Sequence, residues 1–172
     1  MNFSIRIMKK LLIIISLLIY FVSCRENESK EKPITKKGLT VDTSLITILP
    51  YDTSLYWVFE NCKQAELAEK DLKLIDSLFI SCVEDYNKNI SIKYPIEKDN
   101  CIIDLKKYKR QYIAVANNKG EKEVWINCFC GDWDKDSRLN PVLVMDGGKC
   151  YFNLKINLTT KQSYDLMING EA

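Results

Sequence analysis

Cys150-Tyr151-Phe152-Asn153-Leu154-Lys155-Ile156-Asn157-Leu158 decides how the chain reads, because its apolar side chains fall at every second position. A strand sends successive side chains to opposite faces, so this run predicts a half-buried strand with one wet face. Val124-Trp125-Ile126-Asn127-Cys128-Phe129-Cys130 and Tyr164-Asp165-Leu166-Met167-Ile168-Asn169 alternate in the same way, more loosely. Between them, Pro141-Val142-Leu143-Val144-Met145 is apolar on both faces and reads as a further strand. Asp146-Gly147-Gly148 then supplies the tight turn into the next one. Residues 121–169 are therefore expected to form an antiparallel meander that the rest of the chain reaches, covers or tethers.

Working outward, Leu39-Thr40-Val41, Leu45 to Leu49 and Tyr56-Trp57-Val58-Phe59 are β-branched or aromatic and read as short strands, the second ended by Pro50. The period then changes. From Glu69 to about Lys88, Leu72, Ile75, Phe79, Cys82 and Tyr86 fall three or four apart, with Leu78 and Val83 widening the stripe. That is one face of an amphipathic helix, expected to end at Asn87-Lys88-Asn89. Gln111 to Ala116 reads as a strand, and Asn117-Asn118-Lys119-Gly120 as the turn into the meander. The expected fold class is α+β: one long helix on an antiparallel sheet of about five or six strands, built mostly from consecutive hairpins. That arrangement is similar to cystatin-like and NTF2-like domains.

A chain of 172 residues with 47% hydrophobic and 28% charged residues is expected to hold one folded domain. It contains no histidine, which removes Ser-His-acid and Cys-His nucleophiles, His-ligated zinc and every His general base. The net charge of +2 includes Arg6, Lys9 and Lys10. Removing those three from 25 bases leaves 22 against 23 acids, a net of −1 without a basic block. Nucleic acid is therefore not an expected partner.

Those three bases precede an apolar run of twelve positions, Leu11 to Val22, interrupted only by Ser16 and Tyr20. A membrane-spanning helix needs ~17–25 apolar residues, so this run fits the apolar core of a signal peptide. Met8 before Lys9-Lys10 is an alternative start. Directly after the run, Phe21-Val22-Ser23-Cys24 resembles the lipobox of bacterial lipoproteins, with Phe21 in place of the usual Leu. The resemblance implies cleavage before Cys24, acylation of Cys24 and attachment to a membrane. Residues 24–38 begin with the charged stretch Arg25 to Lys32, which cannot bury anything and reads as a solvated tether. That stretch resembles those of surface-exported Bacteroidetes lipoproteins, and Arg25 lacks the acidic retention cue of inner-membrane lipoproteins, so an outer-membrane address is favoured. The expected organisation is a signal peptide over 1–23, a tether over 24–38 and one α+β domain over 39–172. Ser23-Cys24, Gly147-Gly148-Lys149-Cys150-Tyr151-Phe152 and Ile168-Asn169-Gly170 resemble small Bacteroidetes lipoproteins without carrying an activity with them.

Cys62, Cys82, Cys101, Cys128, Cys130 and Cys150 remain after Cys24. In an exported chain they permit up to three disulfides in fifteen connectivities. Alternation places Cys82, Cys128, Cys130 and Cys150 on apolar faces, where Cys behaves as a small hydrophobe. Cys128 and Cys130 are not expected to bridge each other, since i and i+2 in a strand lie ~6.5–7 Å apart. Asp132-Trp133-Asp134-Lys135-Asp136 resembles the first half of an EF-hand calcium loop, but Ser137 and Leu143 stand where that pattern needs Gly and Glu. A solvated connecting loop is the favoured reading. On the second face of the meander, Trp125, Asn127, Phe129, Tyr151 and Asn153, continued by Lys155 and Asn157, can form a platform for a protein or glycan partner. The alternative is that the strands before the helix, including Trp57 and Phe59, cover that face. The expected function is a lipid-anchored, non-catalytic binding or structural module without a cofactor. The alternatives are an NTF2-like enzyme with a helix–sheet pocket and a thiol-redox lipoprotein.

Overall fold

A computed structural model describes residues 42–96 and 98–170. The expected signal peptide, Cys24, the expected tether and the strand expected at Leu39 to Val41 lie outside the described residues. Six strands form one sheet: β1 (Ile46–Leu49), β2 (Lys63–Gln64), β3 (Lys109–Ala116), β4 (Lys122–Phe129), β5 (Tyr151–Asn157) and β6 (Gln162–Ile168). The order is β1-β3-β4-β5-β6, with β2 also on the β1 side of β3. One long helix, α1 (Glu69–Lys93), crosses one face, and a short turn of helix, α2 (Lys98–Cys101), follows it. The α+β architecture is as the sequence predicts.

The sheet departs from that expectation at one edge. From β3 to β6 every neighbouring pair is antiparallel, but β1 runs parallel to β3, with Ile46 opposite Arg110 and Leu49 opposite Ile113. Antiparallel neighbours need only a tight turn, whereas a parallel pair needs a long crossover, and the passage containing α1 supplies it.

At the start of α1, the Asp71 carboxylate accepts the Ala68 N–H at 2.9 Å and the Lys122 ammonium at 2.9 Å, tying the helix to the first residue of β4. The helix outruns the expected stop at Asn87 to Asn89. The Asn87 side chain is spent on the Ile103 main chain, accepting its N–H at 2.8 Å and donating to its C=O at 2.9 Å. Pro95 is the effective terminator, because the residue before a proline disfavours helical backbone. Ile75, Phe79 and Val83 are buried against Tyr112, Val124, Ile126, Cys128, Phe152, Leu154 and Ile156. The Phe79 and Phe152 rings stack at 6.2 Å, and Tyr108 meets Phe152 edge-on at 5.0 Å.

On the other face a smaller core gathers Leu49, Tyr51, Val58, Phe59, Ile113, Val115 and Trp125. Tyr56 to Phe59 is a turn and not the expected strand. The Asp52 carboxylate caps a 3-10 turn at Thr53–Leu55, and the Val58 and Phe59 N–H groups both donate to the Leu55 C=O. Once the chain has curled this way, Val58 and Phe59 are buried while Tyr56 and Trp57 face outward. Pro141 to Met145 is likewise not a strand of the sheet; it belongs to the connection between β4 and β5 and lies across the second face. The turn expected at Gly147-Gly148 is present, with φ of +90° and +57°. A Cβ on Gly147 would come within 2.7 Å of the Tyr151 ring.

Candidate functional site

The second sheet face is built around two amides. Gln111, fully buried in β3, donates through Nε2 to the Ser137 and Asn140 carbonyls. Its Oε1 accepts the Val142 N–H at 2.8 Å and Asn127 Nδ2 at 2.9 Å. Asn127 Nδ2 also donates to the Val142 C=O at 2.8 Å. At the far end, Asn169 Nδ2 donates to the Val144 and Asp146 carbonyls. Three side-chain amides thus hold residues 142–146 down as a strap. A disulfide between Cys130 and Cys150, Cα atoms 5.2 Å apart, closes the loop that carries the strap.

A cleft of about 270 Å³ lies beside this strap, lined by Trp57, Trp125, Asn127, Val142 to Met145, Tyr151, Asn153 and Asn169. Its lining carries no charged side chain. Of the five residues expected on the platform, four meet here. Trp125 and Asn127 form the buried floor, and Tyr151 and Asn153 are half-buried at the side. Phe129 does not join them; it is buried and packs edge-on against Trp133 at 5.3 Å. Trp125 Nε1 donates to Asn153 Oδ1 at 3.1 Å, which fixes the indole and leaves the Asn153 amide group without a partner among the described residues. Trp57 stands edge-on to Trp125 at 5.6 Å and is 47% exposed. Leu143 (64%), Met145 (98%) and Met167 (63%) are also exposed on the described surface. Partial cover of the face, by Trp57, Phe59 and the strap, has thus narrowed a platform into a cleft. Sequence reasoning missed Gln111, Asn169 and the strap. The available signal was an amide at the head of the apolar run Tyr112 to Ala116, opposite Asn127.

The same face is charged towards its other end. Lys155 lies 5.5 Å from the Phe59 ring and 5.9 Å from the Tyr164 ring, and pairs with Asp165 at 3.2 Å. Asn157 Nδ2 bridges the Glu121 and Glu123 carboxylates at 3.0 and 3.1 Å. Hydrogen bonds from Asn117 and Asn157 hold the Glu121 carboxyl below its usual range, and burial pushes the Tyr164 hydroxyl up.

The three loop carboxylates serve local partners. Asp134 Oδ1 accepts the Ser137 N–H at 2.6 Å, and this bond holds its carboxyl below the usual range. Asp136 accepts from Asn140 at 2.7 Å, and Asp132 faces Lys109 at 3.6 Å. Among the described residues no group of three or more Cys, Asp or Glu side chains is placed to hold a metal ion. Cys128 is buried under α1, where burial pushes its thiol well up. Cys130 is exposed and not buried as expected, because β4 ends at Phe129 and the chain turns away there; Cys150, its bonded partner, is half-buried.

Between α1 and the sheet the buried contacts are apolar except at the Asp71–Lys122 pair already described and at one further corner. There Asp76 meets Arg110 at 3.3 Å, and the guanidinium lies over the Phe79 ring at 4.6 Å. Arg110 Nε and the Tyr112 hydroxyl have no well-formed hydrogen bond, and burial pushes the hydroxyl up to about 12. A groove of about 360 Å³ opens beside this corner, lined by Asp42, Leu45, Asp76, Ile80, Leu105, Lys106 and Arg110.

Compared with models of known families, with curated proteins and with solved structures, the chain matches none. No helix among the described residues is long and apolar enough to cross a membrane.

Proposed function

We propose that the protein is a lipid-anchored lipoprotein of the bacterial cell envelope, held through Cys24, with the outer membrane as its address. Its folded domain acts as a non-catalytic binding module through the cleft between Trp57 and the strap. The single observation that carries the binding role is the arrangement of that cleft. An uncharged, largely apolar hollow carries an exposed indole at its mouth, over a floor that buried amides hold fixed. A pre-formed apolar hollow with a few oriented polar groups is what small-ligand and side-chain recognition requires. The Cys130–Cys150 disulfide agrees with export, since such bonds persist in oxidising compartments.

Two further readings have less support. The buried interface under α1, apolar apart from the Asp71–Lys122 and Asp76–Arg110 pairs, gives little to an NTF2-like enzyme, and a thiol-redox role must contend with a buried Cys128 and a bonded Cys130 and Cys150. Growth of expressing bacteria with an alkyne analogue of palmitate tests the anchor. Label should enter the wild-type chain and the membrane fraction, and Cys24→Ala should lose both. An unlabelled, soluble wild-type chain would refute the anchoring. Two or more acyl chains suffice for stable attachment, so partition should be nearly complete.

A further inference from the structure

We infer that the strap and the cleft beside it bind an extended, uncharged peptide segment of another protein, which adds to the strap's free edge as a strand. This rests on the reading of the second face as a binding face and names its ligand class.

Burial alternates along the strap: Val142 and Val144 are half-buried, whereas Leu143 and Met145 are exposed. Main-chain bonding alternates with it. The Val142 N–H and C=O and the Val144 C=O are all engaged by sheet side chains. Among the described residues, the main-chain N–H and C=O groups of Leu143 and Met145 make no hydrogen bond. Across a planar trans peptide the C=O of one residue and the N–H of the next point to opposite sides. With the Val142 and Val144 carbonyls taken by amides on one side, the Leu143 and Met145 N–H groups are therefore presented on the other, two residues apart. That spacing is what an added strand engages.

Folded proteins blunt such edges with charge, proline or a bulge. Val142-Leu143-Val144-Met145 carries none of the first two, and Pro141 lies before the edge begins. The cleft of about 270 Å³ falls just below the range typical of small-molecule pockets, which suits an inserted side chain. Its walls are mostly apolar, four aliphatic and four aromatic side chains beside three amides, and a charged segment would find no counter-charge in this lining.

Calorimetry and Trp57 fluorescence with three blocked hexapeptides, acetyl-Thr-Val-Thr-X-Thr-Val-amide with X as Val, Leu or Tyr, test the inference on the full domain. The expected result is submillimolar binding of at least one peptide. Methylating the amide nitrogens at every second residue, along the edge that faces the strap, should weaken it about tenfold or more, as should Met145→Pro, which removes an edge donor. Equal affinity for the methylated peptide overturns strand addition, and that comparison uses the wild-type chain, so it stands even if Met145→Pro misfolds. Binding of maltotetraose in place of the peptides overturns the peptide assignment while leaving the face a binding face. A dimer that Met145→Pro converts to monomer makes a second copy the occupant and also overturns it. Failure of every probe to bind a monomer overturns both this inference and the binding role.

Discussion

Gln111→Leu tests the structural basis of the cleft. The substitution keeps the volume at a fully buried position but removes four hydrogen bonds, two to the Ser137 and Asn140 carbonyls and two from Val142 N–H and Asn127. Each such bond contributes roughly 0.5–1.5 kcal/mol net, so four give about 2–6 kcal/mol. Two effects pull towards the lower half of that range. A leucine gains apolar transfer energy at this position, and the strap's own groups can turn to water once released. We expect a loss of about 3 kcal/mol in urea unfolding, and a melting midpoint lower by about 10 °C for a domain of this size. Trp57 emission should shift to the red, because the strap no longer walls the cleft. A loss below about 0.5 kcal/mol with unchanged Trp57 emission would show that contacts other than Gln111 hold the strap, and the reasoning would fail.

Other positions make separate predictions. Asp76→Ala strands the buried Arg110 guanidinium and should cost about 3–5 kcal/mol by urea unfolding, and replacing Arg110 by Met as well should recover most of it. Cys150→Ser opens the loop between residues 20 apart and should cost about 3 kcal/mol by the chain-entropy argument; peptide mapping without reductant should recover Cys130 joined to Cys150. Burial pushes the Asp71 carboxyl upward, but the bonds from Lys122 and the Ala68 N–H outweigh it and hold the group below its usual range. A folded value below the unfolded value of about 3.9 means that its stabilisation is present above that pH and lost as pH falls through the folded value. Asp71→Asn should therefore lower stability at neutral pH and flatten the decline measured by urea midpoints below about pH 4.

Parts of this structure were legible in the sequence because side-chain periodicity reports burial. The 3–4 spacing of Leu72, Ile75, Phe79 and Cys82 located α1, and the alternation of Tyr151 to Leu158 located β5. Periodicity says nothing about direction, so the parallel pairing of β1 with β3 was not readable. Composition misled at Tyr56 to Phe59 and at Pro141 to Met145, where residues that favour strands are held in other conformations. At the first, Asp52 starts a turn. At the second, amides as distant in sequence as Gln111 and Asn169 take over the main-chain bonds that a neighbouring strand would have made. The pairing of Cys130 with Cys150 is likewise a matter of tertiary placement, since spacing argued against a Cys128–Cys130 bridge and left the other connectivities open. Four of the five platform residues were found because they share a face. The wall that turned them into a cleft comes from a loop whose path only the fold determines.

Residue-resolved hydrogen exchange across the strap is the most direct test of the central claim. In the free protein the Val142 amide should be protected by Gln111, while the Leu143 and Met145 amides exchange at nearly open-chain rates. Saturation with a binding hexapeptide should slow Leu143 and Met145 and leave Val142 unchanged. Protection of Leu143 and Met145 in the free chain, or no slowing at saturation, would contradict the account.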